Sequence, residues 1–593
     1  MKNNKVLNSF ILWRVKHLKE QYFVVILSLI IGLFTGFAAY LLKTAVFFIK
    51  NELTEKTGSQ SLNIAYFILP AIGVILTILF FTFIVRSRVE HSVPRILFVI
   101  SKRKGRMKRH KIYSSIVGAS LTAGFGGSVG LESPIISTGS AFGSYLGHSF
   151  RLQYKTVCLL IGCGAAGAMA SIFTTPIAAV VFCLEVLMLD LATTSIIPLL
   201  IASVSGAITT KLFLSENILF DFSNTTALNT HEIPFYVLLG IFAALVSYYF
   251  SSISEFINKK MKQIHNPFFR PILGLFLLGL IIFAFPPLYG EGYDLIKQLA
   301  DGNTDVLMAN SFFYYLKDNL FFVLAFIVLL ILFKVIATSL TIESGGIGGI
   351  FAPAAVSGGL SGFLFAKSLN QFFPALKLPE LNFMLVGMAG VLCAVLHAPL
   401  TAIFLVTEMT SGYQLIVPLM LTTTVAFLTT KILDPHSIFT KRLAERGELV
   451  THHKDQTVLT LLKIRNLIES DVEVIPPDTN LGELTRYISE AKRNIFPIVD
   501  VQKKFKGIVL LDAVRKDMFN QQKWQTPIKE YLFYPSENEI ISITDSMELA
   551  MNKFQASGNY NLVVLDGEKY IGIVSRANIF KAYRKMLIDV THE

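Results

Sequence analysis

Charge is scarce in this chain. Of its 593 residues only 16% are Asp, Glu, Lys or Arg, against roughly 25% in an average soluble domain, and 53% are hydrophobic. That balance excludes an ordinary soluble protein. Cysteine is scarcer still. The four present (Cys158, Cys163, Cys183 and Cys393) all fall in apolar segments, so neither a disulfide framework nor a metal site is indicated, and they read as small buried hydrophobes. A cleavable signal peptide is also not expected, because the first long apolar run lacks a short apolar stretch ending in a small-residue cleavage site. It reads instead as a first membrane helix.

What is present is a series of apolar runs, among them Tyr22–Ile49, Leu62–Val85, Pro234–Ile253, Phe312–Phe333 and Ile416–Ile432. Each is long enough to cross about 30 Å of hydrocarbon, or nearly so. The net charge of +12 raises the question of nucleic acid. Its distribution answers against it. The basic clusters at Arg14–Lys19 and Lys102–Lys111 flank apolar runs, as cytoplasmic loops of membrane proteins do, where they also attract anionic lipid headgroups. The expectation is a multi-pass protein of the lipid bilayer with both termini cytoplasmic, most simply in a bacterial inner membrane.

Two stretches within the apolar part carry the same pattern. Gly126–Pro134 reads GGSVGLESP and Gly345–Pro353 reads GGIGGIFAP, both G-G-x-x-G-x-x-x-P. Glycine lets the backbone turn sharply and leaves its N–H groups uncovered, and proline suits the first turn of a following helix. Each stretch therefore predicts a helix N-terminus with free donors and partial positive charge. Two such ends converging make an anion site. Further along, Ala166–Glu185 resembles Ala389–Glu408, each with an A-G pair, a central proline (Pro176, Pro399) and a closing glutamate. Short, Gly/Pro-interrupted segments recurring in the same order point to an internal repeat with a transport site between its halves.

From about residue 448 the sequence changes character. Asn494–Val509 and Tyr560–Val574 each read as strand, turn, strand, with helical patterns around them. The expected organisation is a membrane domain over 1–447, with inverted repeats at roughly 22–213 and 232–435. A cytoplasmic α/β domain over 448–593 follows, its two units near 465–520 and 525–590.

These residues resemble the CLC family of chloride channels and proton-coupled chloride transporters, over nearly the whole membrane part, and the tail resembles a pair of CBS domains. Gly348–Pro353 matches the family's GGxFxP motif. Gly130-Leu131-Glu132-Ser133-Pro134 matches G-(K/R)-E-G-P, Glu90–Pro94 matches G-S-G-I-P, and His436–Lys441 matches the segment where the family presents a tyrosine. The resemblance implies an all-α membrane domain of many tilted or partial helices, built as an inverted repeat, and a homodimer with one pore per subunit. It implies Glu132 as the gate, and His91, Ser92, Gly130, Gly349, Ile350, Phe351 and Phe439 as the surroundings of the anion, with the N–H groups of Ile350 and Phe351 as central donors.

The departures bear on mechanism. Leu131 removes a basic residue, which weakens the field at the gate. Ser133 replaces glycine and restricts the backbone. His91 stands at the family's selectivity serine, either donating to the anion or turned away from it. Phe439 lacks the tyrosine hydroxyl. Val186 stands at the position where exchangers of the family carry a proton-passing glutamate, while Glu185 and its repeat mate Glu408 read as fold-stabilising. Valine cannot relay protons. The expected function is therefore a chloride channel gated by Glu132, not an enzyme. A proton/chloride exchanger, a CLC protein of nitrate or fluoride selectivity, and a CBS-based ligand sensor with little flux are the alternatives. No cofactor is required. In the tail, Gly572, Ser575 and Asn578 fit a pattern that in other CBS pairs touches an adenine nucleotide, whereas the first unit has Leu510 and Ala513 instead of its polar pair.

Overall fold

The structure, a computed structural model, describes residues 5–54, 64–87, 92–102, 105–188, 193–214, 228–410, 412–441, 462–491 and 493–591. The chain divides into two compact units, Met1–Leu449 and Val450–Glu593.

Unit 1 is helical. After α1 (Lys5–His17), its first half runs α2 (Glu20–Thr54), α3 (Ala65–Leu79, continued by a π-helical turn Phe80–Val85), α4 (Ser92–Lys102), α5 (Lys111–Gly124), α6 (Glu132–Ser149), α7 (Tyr154–Phe173), α8 (Pro176–Glu185) and α9 (Thr193–Phe213). The second half repeats that order with α10 (Ile233–Gln263), α11 (Phe269–Ala284), α12 (Tyr293–Ala300), α13 (Leu320–Glu343), α14 (Phe351–Phe372), α15 (Glu380–Leu396), α16 (Pro399–Met409) and α17 (Ile416–Leu433). Among the described residues, 7 helices are long and apolar enough to cross a membrane. Others are too short: α8 has 10 residues, which at about 1.5 Å per residue reach only half of a ~30 Å hydrocarbon layer.

The repeat extends to backbone detail. α7 ends on Thr174 and α15 on His397, both in the left-handed region (φ 58° and 56°), and Pro176 and Pro399 then open α8 and α16. The two short helices cap each other. The Glu185 carboxylate accepts from the N–H groups of Leu400 (3.0 Å) and Thr401 (2.8 Å), and Glu408 accepts from those of Ile177 (3.0 Å) and Ala178 (2.8 Å). A carboxylate at a helix N-terminus satisfies donors that have no partner within the helix and faces the positive end of the dipole. Both glutamates are thus structural, as the sequence suggests.

Helix α6 lies against α7 as α14 lies against α15, and in each pair glycines meet backbone to backbone. A Cβ at Gly139 would come 2.1 Å from the carbonyl oxygen of Gly164, and one at Gly358 would come 2.5 Å from that of Gly387. Small residues let helices approach closely where apolar surroundings give no hydrophobic drive for association.

Unit 2 contains an antiparallel pair, β1 (Ile495–Val499) with β2 (Phe505–Leu510), and a three-stranded sheet. In that sheet β3 (Ile540–Ser542) runs parallel to β4 (Asn561–Asp566), which pairs antiparallel with β5 (Lys569–Ser575). The strand, turn, strand pattern read in the sequence is present in both places.

Candidate functional site

The site starts from the two glycine-rich stretches. Gly126 and Gly345 both adopt positive φ (93° and 110°), a region open to glycine at little cost. The chain turns there, and the following N–H groups fold back, Gly127 to the Thr122 carbonyl (2.8 Å) and Gly346 to that of Thr341 (2.9 Å). The two stretches then join. Gly130 donates to the Gly349 carbonyl (2.9 Å), and Gly349 donates to that of Gly130 (2.8 Å). This reciprocal bridge sets the N-termini of α6 and α14 side by side, as two converging helix ends require.

The bridge corrects one expectation. The N–H groups of Gly130 and Gly349 are engaged with each other and cannot donate to an anion. These glycines build the cradle: a Cβ on Gly130 would come 2.1 Å from Glu132 Oε2, and one on Gly349 would come 2.5 Å from the Ser133 hydroxyl oxygen. The N–H groups of Ile350 and Phe351 have no hydrogen-bond partner among the described residues, so the two donors named for the central position are uncommitted.

Glu132 is the first residue of α6 and is buried. Its Oε1 accepts from the Tyr293 hydroxyl at 3.1 Å. Its Oε2 has no hydrogen-bond partner and lies against Gly130, where an added Cβ would come 2.1 Å from it and 3.0 Å from the Cβ of Ala352. The carboxylate is therefore folded back between the two helix starts, where a free anion would otherwise be held.

Around it lie polar groups that the sequence reading missed. Glu291 accepts from the Leu131 N–H at 3.0 Å. Lys334 is fully buried within α13 and donates to the Ser128 hydroxyl (2.9 Å) and the Gly290 carbonyl (3.0 Å). Leu131 thus does not leave this side without a basic side chain, since α13 supplies Lys334 behind the same loop. A lone lysine inside a membrane-length apolar helix was the available signal.

On the other side of the bridge is a cavity of about 90 Å³. Ser133, Gly349, Ile350 and Phe439 line it, with Val93 and Pro94 from the start of α4. Phe439, from the segment after α17, thus joins Ile350, and it presents only an apolar ring. Phe351 is buried against Phe173, with ring centroids 5.6 Å apart. His91 lies outside the described residues, as does the side chain of Ser92. Ser133, read from the sequence only as a backbone restriction, brings a hydroxyl to the cavity wall with no partner among the described residues. Ser133→Ala is expected to weaken chloride binding by about tenfold or more, since a hydrogen bond to a charged group is worth roughly 1.5–3 kcal/mol. Calorimetric titration of the purified protein checks this.

Val186 is buried at the end of α8, and its N–H bonds to the Phe182 carbonyl. With Glu185 committed to capping α16, the end of α8 offers no acid for proton transfer.

In unit 2, Gly572 has φ 158° and packs on the Glu469 carbonyl, where a Cβ would come within 2.6 Å. The Ser575 hydroxyl donates to Glu469 Oε1 at 2.5 Å, and the Asn578 amide donates to the Leu467 carbonyl at 3.0 Å. The Ser575 hydroxyl and the Asn578 amide thus each donate one hydrogen bond within the fold. A carboxylate, itself paired with Arg493, stands on the hydroxyl.

Residues 72–431 match the family model described as Voltage gated chloride channel, and residues 464–519 and 529–585 match the CBS domain model. A relative from Ralstonia nicotianae, whose name reads chloride channel protein ClcB-like, is 26% identical over 54% of this chain and 72% of its own length. The H(+)/Cl(-) exchange transporter ClcA of Vibrio campbellii is 25% identical over 71% of this chain and 89% of its own. The crystal structure of a slow cyanobacterial Cl-/H+ antiporter superposes with a TM-score of 0.59 at 22% identity, covering 72% of this chain and 98% of that one.

Proposed function

Because the chain belongs to the voltage gated chloride channel family, we propose that it carries chloride and related small anions across a membrane in exchange for protons, with Glu132 as the outer gate. The observation that supports this most is the gate itself: a buried carboxylate folded between two helix N-termini that a reciprocal backbone bridge holds together. A carboxylate in that position competes with the transported anion, and protonation releases it. The uncommitted N–H groups of Ile350 and Phe351 and the Ser133 hydroxyl hold the anion on the far side of the bridge.

Exchange is favoured by the name of the Vibrio relative, which this chain matches over most of that protein's length. The channel reading has one specific observation in its favour: α8 ends on the buried, apolar Val186. Selectivity among chloride, nitrate and fluoride turns on Ser133, His91 and Phe439. The protein works as a homodimer in a bacterial inner membrane with both termini cytoplasmic, without enzymatic chemistry. In the CBS pair, Glu469 accepting from the Ser575 hydroxyl favours a packing role over nucleotide binding.

Reconstitution in chloride-loaded liposomes tests the proposal. Chloride efflux should run only with a potassium shunt and should carry protons inward. Reconstituted protein with no anion efflux would contradict transport altogether.

A further inference from the structure

The short segment Gly290–Tyr293, which leads into α12, clasps the chain that approaches the gate. The Gly290 N–H donates to the Gly126 carbonyl at 3.1 Å, and Glu291 accepts from the Leu131 N–H at 3.0 Å. Lys334 ties the two stretches from behind, donating to the Gly290 carbonyl on one side and to the Ser128 hydroxyl on the other. The segment turns at two glycines, with φ 70° at Gly290 and 98° at Gly292, a region that costs glycine little. The second turn is also crowded. A Cβ at Gly292 would come 3.1 Å from Val356 Cγ1 and 3.2 Å from Lys334 Nζ.

Tyr293 follows as the first residue of α12 and is buried. Its ring meets that of Phe173 edge-on, with centroids 6.1 Å apart, and its hydroxyl donates to Glu132 Oε1 at 3.1 Å. The clasp fixes the backbone end of this side chain and the aromatic contact steers the other, so the donor is held in place before the carboxylate arrives. The two oxygens of that carboxylate have different surroundings. Oε2 lies against Gly130, in the cradle between the helix ends that an anion would occupy. Oε1 is the atom that the tyrosine reaches. Chloride is a single sphere. Seated in the place of Oε2, it has no second atom to offer the hydroxyl.

We infer that Tyr293 is the latch of the gate: a positioning residue whose hydroxyl holds the Glu132 carboxylate folded back and so sets how much chloride is needed to displace it. The latch acts on the closed carboxylate and not on the anion that replaces it. It therefore reduces the share of molecules open to chloride, and the apparent affinity falls with that share. The inference rests on the reading of Glu132 as the outer gate.

Tyr293→Phe in the full-length protein tests it, because phenylalanine keeps the ring on Phe173 and removes only the hydroxyl. Chloride flux through liposomes is measured over a range of chloride concentrations in the parent, Tyr293→Phe, Glu132→Ala and the double variant. Loss of a hydrogen bond to a charged group should lower the chloride concentration for half-maximal flux by about tenfold or more, while the rate at saturating chloride changes little. In the Glu132→Ala background the same substitution should move neither quantity, since no carboxylate is left to hold. An unchanged half-saturating concentration in Tyr293→Phe overturns the inference. A raised one does too, because the hydroxyl would then be serving the chloride. Equal shifts in the two backgrounds also overturn it, by showing that the substitution acts on packing. Glu132→Ala with the parent's flux overturns the gate reading and the latch with it. A faster Glu132→Ala beside an unmoved Tyr293→Phe overturns the latch alone.

Discussion

Glu132→Gln and Glu132→Ala should speed chloride movement, abolish its dependence on external pH and stop coupled proton movement. The parent carboxylate sits between Gly130 and Ala352, with one oxygen on the Tyr293 hydroxyl and the other without a partner. As an anion it competes directly with chloride for the two helix ends. An amide is nearly the same size but carries no charge, so the competition disappears. Neither amide nor methyl can take up a proton in the working range, so the pH dependence goes with it. Chloride efflux and proton uptake from liposomes at several external pH values measure all three effects. Variants with the parent's rate and the parent's pH profile would show that the carboxylate is a helix cap and nothing more.

Gly130→Ala should have the opposite effect on flux and a larger one. Its Cβ would come 2.1 Å from Glu132 Oε2 and 3.0 Å from the Cβ of Ala352. Overpacking of this kind typically costs about 1–3 kcal/mol, which a large membrane fold can absorb. The site cannot. The bridge between Gly130 and Gly349 is what aligns the two N-termini, and a misplacement of about 1 Å in a positioned site can cost on the order of 10²-fold in rate. Chloride flux should fall accordingly while the protein still elutes as a folded species. Adding Glu132→Ala should restore part of the flux, because the closest clash is with the carboxylate. A Gly130→Ala protein with normal flux would mean that the bridge is not part of the pathway.

Much of this arrangement was legible in the sequence because it is written twice. The paired G-G-x-x-G-x-x-x-P stretches located both helix starts, and the family resemblance singled out Glu132 at one of them. The paired segments ending in Glu185 and Glu408 marked two structural acids, and the structure gives each the N-terminus of the other's helix. What was not legible depends on contacts between distant parts of the chain. The glycine N–H groups looked like anion donors because nothing local shows that Gly130 and Gly349 satisfy each other. Ser133 looked like a loss of backbone freedom, when its place beside Gly349 makes it a hydroxyl on the cavity wall. Lys334 and Glu343 were each visible as charges in an apolar run, but their partners, Ser128 and Gly290 for one and Arg270 and Asn258 for the other, come from other parts of the chain. Val186 pointed toward a channel, and the structure buries it at the end of α8 with no acid at that position.

The central claim, that one protein moves chloride against protons through the Glu132 gate, is tested most directly by the reversal potential of the reconstituted protein under opposed chloride and proton gradients. Exchange predicts a potential displaced from the chloride equilibrium value toward the proton value, and its return to the chloride value in Glu132→Ala. A parent potential that stays at the chloride equilibrium value whatever the proton gradient would contradict the account.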